Sequence, residues 1–431
     1  MSPCSCSWAC GWSPGCGPGP GRTAGPVVAE PGGWTGYDRG SRGYRRVLLA
    51  LLCAGVATFA QLYSVQGVLP LLAADLGIDA ARASLGVSAA TFGLAVGVLP
   101  WSVVSDRWGR LRTMVMAVVS ATVLGLVMPL APSFEAVVAL RFAEGIALGG
   151  IPAVAMAYLA EELDRRHAAV AAGTYVAGTS LGGLAGRIIA APVGDAFGWR
   201  TGTITVSVLA ALAAVVFVLI APRQRGFVRQ TVRLTGPAGL LGRLGANLAD
   251  RGLLVLYLQG FLLMGGFVAI YNYLGFHLGE EPFGVSQTVV SLLFLAYLSG
   301  TWSSGTAGRI AAAHGRRVVL ASSGTVMLAG LLATLVPSIP VIVVGLLLFT
   351  AGFFAAHAVA SGWVPVRSRT GKAQASSLYT LFYYAGSSVL GTAGGVFYTV
   401  TGWAGAVGFV AALVVLAVLL VLLVLREPEP A

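Results

Sequence analysis

Few residues in this chain have types and spacings that could do chemistry, and the sharpest pair is Arg141-Phe-Ala-Glu144. Three residues apart, a guanidinium and a carboxyl share one face of a helix. They sit inside an otherwise apolar run, where a charge costs at least about 2.5 to 3.5 kcal/mol on insertion scales, so an ion pair there is read as functional. Glu144 is the candidate proton carrier and Arg141 its partner, because burial favours the neutral carboxyl while a guanidinium favours the charged one. The alternative is a static structural pair. A second candidate, Gly178-Thr-Ser-Leu-Gly182, has the Gly-x-Ser-x-Gly form of a hydrolase nucleophile elbow. That elbow requires a strand-to-helix turn with a histidine and an acid elsewhere. Here it lies within an apolar helical run, so Gly178, Gly182, Gly183 and Gly186 are read as helix packing, with Gly300, Ser304 and Gly308 as the expected mate. Cys4, Cys6, Cys10 and Cys16 lack a histidine and a flanking fold to set ligand geometry, so no metal is expected. No His-Glu-x-x-His, paired catalytic acids or Gly-x4-Gly-Lys-Ser/Thr loop is present. The chain is therefore read as no enzyme, without a cofactor, and not directly driven by ATP. A non-transporting membrane sensor and a membrane-embedded enzyme stand as the rivals from other classes.

The elements that must position these residues are transmembrane helices. Of 431 residues, 57% are hydrophobic and 10% charged, against about 25% charged in soluble domains. Apolar runs long enough to cross a bilayer core of roughly 30 Å recur twelve times, from 47–72 to 403–425. The fold class expected is an all-α membrane protein of twelve helices in two pseudo-symmetric six-helix bundles. A net charge of +11 raises nucleic acid as a partner, but placement explains it better. Of 27 Lys and Arg, 23 fall before, after or between spans on the side of the N-terminus, two on the opposite side (Arg82 and Arg200) and two within spans (Arg141 and Arg187). By the positive-inside rule both termini are cytoplasmic. The high Gly and Ala content with one Lys among many Arg suits a GC-rich bacterium, so a bacterial cytoplasmic membrane is expected.

The domain organisation expected is a disordered cytoplasmic segment at 1–43, a six-helix bundle at 44–221, a cytoplasmic linker at 222–250, a second bundle at 251–426 and a tail at 427–431. Two landmarks recur between the halves. Gly109-Arg110 matches Gly315-Arg316 at an offset of 206, and Gly198-Trp199 matches Gly402-Trp403 at 204. Such recurrence is the mark of a duplicated bundle.

Between the second and third spans runs Ser102-Val-Val-Ser105-Asp106-Arg107-Trp108-Gly109-Arg110-Leu-Arg112. Gly109 permits a tight turn, the arginines hold the loop on one side, and Asp106 at a helix end can pair with them as a breakable latch. This loop resembles the cytoplasmic signature of the major facilitator superfamily, with Ser102 where glycine is usual. The counterpart in the second half has Ala312 where the acid would stand, so the latch is expected to be one-sided. Arg141-Phe-Ala-Glu144-Gly145 resembles that family's buried Arg-x-x-Gln-Gly element, and Thr58-Phe-Ala-Gln-Leu-Tyr63 and Ala385-Gly-Ser-Ser look like its acriflavine-sensitivity efflux branch. The resemblance implies two bundles rocking about a central site, and a monomer. It also implies a proton gradient as energy source and efflux of drugs or metabolites. Uptake or sugar efflux is the alternative. Gln61, Tyr63, Gln66, Tyr271, Asn272, His357 and Tyr383 are the expected cavity residues, with Tyr273, Tyr379 and Tyr384 beside them. Their aromatic character suits amphipathic, including cationic, small solutes. Arg187 either snorkels outward or lines the cavity.

Overall fold

The computed structural model describes residues 34–164, 166–229, 236 and 239–425. The four N-terminal cysteines, residues 1–33 and the 427–431 tail lie outside the described residues. Apart from one isolated bridge between Tyr37 and Leu163, the described residues form helices and their turns.

Six spans make the first half: α1 (Arg42–Leu76), α2 (Ala80–Trp108), α3 (Arg110–Leu130), α4 (Phe134–Glu162), α5 (Ala168–Phe197) and α6 (Trp199–Ile220). The second half holds α7 (Arg251–Gly279), α8 (287–314), α9 (Arg316–Ala333), α10 (Ile339–Arg367), α11 (372–400) and α12 (403–424). The last two follow one another without a loop through Lys372–Val424, a stretch of 53 residues. At 1.5 Å per residue a single helix of that length would be about 80 Å long, far beyond a bilayer core. Non-helical backbone at Thr401 and Gly402 divides it into two spans.

Gly402 is one of four glycines at tight junctions between consecutive spans, and at the other three the glycine alone makes the join. Gly109, Gly198, Gly315 and Gly402 have φ of 97°, 85°, 88° and 65°, in a region that a Cβ disfavours. They are the two repeated landmarks of the sequence, so duplicated positions carry the same backbone requirement. Other span starts, though not all, are capped by side chains. Asp79 accepts from the Arg82 N–H, Ser133 from Ala136 and Ser286 from Val289, which satisfies donors left open at a helix start.

Each half has its own core. That of α7–α12 centres on Phe267, stacked on Phe353 at 4.1 Å and on Phe349 at 5.6 Å between ring centroids. The first half buries Leu62, Val87 and Leu94 in one cluster and Val47, Ala54 and Tyr158 in another. Outward faces stay apolar, as lipid requires. α6 buries Val206, Ala210 and Phe217 and exposes Val208, Leu212, Val215 and Leu219, a division with helical period.

Two expectations are corrected at the end that carries the chain termini. Residues 34–43 are not disordered: the Tyr37 N–H donates to the Glu162 carbonyl at 2.8 Å, the Asp164 N–H donates back to Tyr37, and α1 starts at Arg42. The 222–250 linker is not only loop. Its Leu240–Ala249 segment is helical and docks on the α10–α11 turn, where Asn247 donates to the Thr370 carbonyl and accepts from the Ser368 hydroxyl. Asp250 then caps α7 and meets Arg367 at 3.0 Å. Partial burial raises the Asp250 pKa, but the Leu253 N–H, Arg367 and the Gly252 N–H outweigh it and hold the carboxyl below its ordinary value.

Candidate functional site: a cavity between the halves

A cavity of about 560 Å³ lies between the two halves, within the range of roughly 300 to 1,000 Å³ that encloses drug-sized ligands. Its deep end is bordered by Tyr63 of α1, Arg187 of α5 and Tyr297 of α8. From there it runs toward the termini end past Tyr175, Ser304 and Ser361. At the opposite end the halves are joined by hydrogen bonds. Gln66 donates to Asn272 at 2.6 Å, Thr392 bonds Ser88 at 2.7 Å, and Asp195 accepts from the Thr288 N–H and hydroxyl. Gln66 and Asn272 are 206 residues apart, the offset of the first repeated landmark, so equivalent positions of the two halves bond to each other.

Among the described residues, Arg187 is the one charged residue bordering the cavity, and only 2% of it is exposed. Nε donates to Gln66 Oε1 and Nη1 to the Gly183 carbonyl, both at 2.6 Å. The guanidinium carbon lies 3.9 Å from the Tyr63 ring centroid, 4.9 Å from Tyr297 and 5.0 Å from Phe294. α8 brings the last two rings there by breaking at a 3-10 turn, Leu293–Ala296, and α1 presents Gln66 from its own 3-10 break, Gln66–Val68. Broken helices at a cavity between repeats free backbone and side chains for ligands. Further along, His357 Nδ1 bonds the Tyr379 hydroxyl at 2.9 Å, and Tyr383 packs on the imidazole at 4.7 Å between centroids.

Of the expected cavity residues, Tyr63, His357 and Tyr383 border it, as do Tyr379 and Tyr384. Gln61, Gln66, Tyr271 and Asn272 do not. Gln66 and Asn272 are consumed by the bond that closes the far end. Tyr271 is buried in the second-half core, bonded to Thr350 at 2.7 Å, and Tyr273 turns to the Gly391 carbonyl. Gln61 faces the ion pair instead: with its amide oriented to satisfy both neighbours, its nitrogen donates to the Ala121 carbonyl and to Glu144 Oε1.

The structure brings Arg141 and Glu144 together at 2.6 Å, 0% and 1% exposed. The guanidinium also donates to the carbonyls of Gly86, Gln61 and Leu62, the last two at the end of α1's first segment. Every charge-bearing atom is thereby paired within α1, α2 and α4, and neither residue borders the cavity.

In the α2–α3 loop Asp106 meets Arg110 at 2.5 Å, and Arg110 reaches on to Glu161 of α4 at 3.0 Å and to the Ser105 hydroxyl at 2.7 Å. Ser102 offers only its carbonyl, to Ser105. Arg107 and Arg112 are exposed and unpaired among the described residues. Glu161 is absent from the sequence reading because nothing in its spacing marks it as the second acid. In the second half Arg317 donates to the Val421 and Leu422 carbonyls, with no acid at Ala312.

The glycine groove of α5 takes a different mate from the one expected. A Cβ at Gly178, Gly182 or Gly186 would lie 2.5, 2.5 and 2.4 Å from the carbonyls of Leu52, Val56 and Ala60. These belong to α1, not α8; Gly300 of α8 faces Phe354 of α10. Gly183 points elsewhere, beside Arg187 and Tyr63. Gly182→Val is expected to separate α1 from α5 and cost at least the 1–3 kcal/mol typical of overpacking. A detergent melting curve checks this, with unchanged stability as the contrary result.

Comparisons with known proteins agree with this architecture. A family model described as Major Facilitator Superfamily matches residues 51–301 and 277–431. The inner membrane transport protein YnfM of Escherichia coli K12 is 44% identical over 373 residues, 86% of this chain and 89% of the relative. YybF of Bacillus subtilis 168, an uncharacterized MFS-type transporter, is 37% identical over 373 residues, 86% and 91% of the two chains. Among solved structures, an inward-facing, unoccupied bacterial homolog of the human lysosomal transporter Spinster aligns with a TM-score of 0.70. It covers 89% of this chain and 96% of its own, and at 16% identity that likeness concerns the fold alone.

Proposed function

The chain belongs to the major facilitator superfamily, and on that premise we propose that it is a secondary transporter carrying a small amphipathic organic solute by alternating access. The observation that carries this reading is the cavity: it lies between two duplicated bundles, reaches toward one end and is hydrogen-bonded shut at the other. Rocking the halves would break Gln66–Asn272 and Asp195–Thr288 and open the closed end. If the arginine-rich end is cytoplasmic, as the positive-inside rule indicates, this is the inward-facing state. The aromatic walls match a solute with an apolar body. Export is the proposed direction, on the sequence resemblance to efflux carriers.

The proton is the proposed driving ion and Glu144 its proposed carrier. Glu144 is the one acid far from the ends of the spans. Because its carboxylate is enclosed in this state, proton exchange requires the Gln61–Leu62 end of α1's first segment to move. Purified protein in proteoliposomes under an imposed pH gradient tests both parts, with solute movement and internal pH followed together. Solute-driven proton movement is expected in the wild type. In Glu144→Gln it should be lost while solute counterflow persists. Full coupling in Glu144→Gln would remove Glu144 from the mechanism, and His357→Gln then tests the titratable imidazole at the cavity wall. Absence of flux for any solute, with ligand binding retained, would point to a sensor.

A further inference from the structure

We propose that Arg187 is the anion-recognising residue of the cavity and that the solute is an organic monocarboxylate with an aromatic or otherwise apolar body. The inference rests on the transport reading above and gives its substrate class.

Arg187 carries an unbalanced charge. Ten residues from the outer end of α5, Arg187 lies about 15 Å deep at 1.5 Å per residue, close to the middle of a bilayer core. A charge at that depth is normally paired or hydrogen-bonded throughout. The comparison is within the same half: Arg141 is equally buried and has Glu144 plus three carbonyls. Arg187 has one amide oxygen, one carbonyl and three ring faces. Neither these groups nor the Tyr63 hydroxyl beside the guanidinium carries a full negative charge. Among the described residues no acid borders the cavity. What is missing is a counter-ion, and the space beside the guanidinium is where one would enter.

The remaining lining specifies what is attached to that anion. A guanidinium offers a planar fork that matches a carboxylate. Tyr63 and Tyr297 supply apolar surface next to it, and Phe353 with the hydroxyls of Thr179, Ser304 and Tyr379 forms more of the wall. One cation against one carboxylate neutralises the site, whereas a dianion would leave a second charge without a partner. An organic cation would meet Arg187 at short range in a low dielectric and be repelled. The cationic solutes compatible with the sequence are therefore disfavoured by the structure.

Three ligands of one shape separate the possibilities: 2-naphthoate, 2-naphthamide and 2-naphthamidine, which are anionic, neutral and cationic at pH 7. Binding to the full-length protein in detergent is read by thermal shift and by titration, and flux by counterflow in proteoliposomes. The expected result is naphthoate binding about 10- to 100-fold tighter than the amide, with no measurable amidine binding. That preference should be lost in Arg187→Met and partly kept in Arg187→Lys. Equal binding of all three, a preference for the amidine, no naphthoate binding, or an unchanged preference in Arg187→Met would overturn the proposal. The wild-type comparison stands even if a variant fails to fold. Naphthoate binding without flux of any solute would leave the anion site and sink the transport reading; flux without carboxylate preference would do the reverse.

Discussion

Arg141→Met is expected to destabilise the protein by about 3–5 kcal/mol, the cost of leaving a buried charge without its partner. The substitution removes the counter-charge of Glu144 at 1% exposure and leaves the Gly86, Gln61 and Leu62 carbonyls without the donors they now accept from. Two of those carbonyls end α1's first segment, so the loss would loosen α1 against α2 and α4 together. Arg141→Met with Glu144→Met removes both charges and should recover a substantial part of the stability. A double-mutant cycle on melting temperature or on unfolding in mixed micelles measures the coupling between the two sites. If the single variant is as stable as the wild type, the pair does not hold the bundle together. If the double variant still couples protons to solute, the pair has no part in coupling either.

Much of this architecture was legible because membrane helices advertise themselves locally. A run of about 20 apolar residues, a glycine where the chain reverses and arginines collected on alternate loops can all be read without knowing what packs on what. The Arg141–Glu144 pair was legible for the same reason, since its members are one helical turn apart. α8 was harder: Ser299, Thr301, Ser303, Ser304 and Thr306 dilute its hydropathy, and it begins with a 3-10 break at Leu293–Ala296. Illegible features were those whose partners are distant in sequence. Glu161 reaches Arg110 across 51 residues, Gly182 packs on Val56, and Asn247 secures a turn 123 residues away. Arg187 shows the limit most clearly. Its sequence position was equally compatible with a lipid-facing snorkel, and only the convergence of Tyr63, Gln66 and Tyr297 from two other helices makes it a cavity residue. Gln61 and Tyr271, polar and aromatic in suitable spans, failed as cavity residues because helix rotation, not residue type, decides which face a side chain occupies.

Gly395→Trp is expected to abolish net transport, lowering its rate at least about tenfold, while leaving the cavity able to bind solute. Gly395 of α11 meets α2 from the other half near the closed end: a Cβ there would stand 2.7 Å from the Ala81 Cα and 2.4 Å from the Tyr273 hydroxyl. An indole cannot fit at that approach, so α2 and α11 must part. The neighbouring Ser88–Thr392 bond, two turns deeper on α2, should weaken with it. The cost falls on the state in which this end is shut and not on the state in which the halves have separated, so the equilibrium moves toward the latter. Shifting a two-state population from 1:99 to 99:1 takes about 5.5 kcal/mol of differential stability, and a steric wedge of this size supplies much of that. The direct measurement is labelling of a single cysteine at Tyr63 by an impermeant maleimide added from the side opposite the termini. Slow labelling in the Tyr63→Cys protein and fast labelling when Gly395→Trp is added would show that the contact near Gly395 is the gate. Equal labelling in both, with transport intact, would mean that the halves do not separate there.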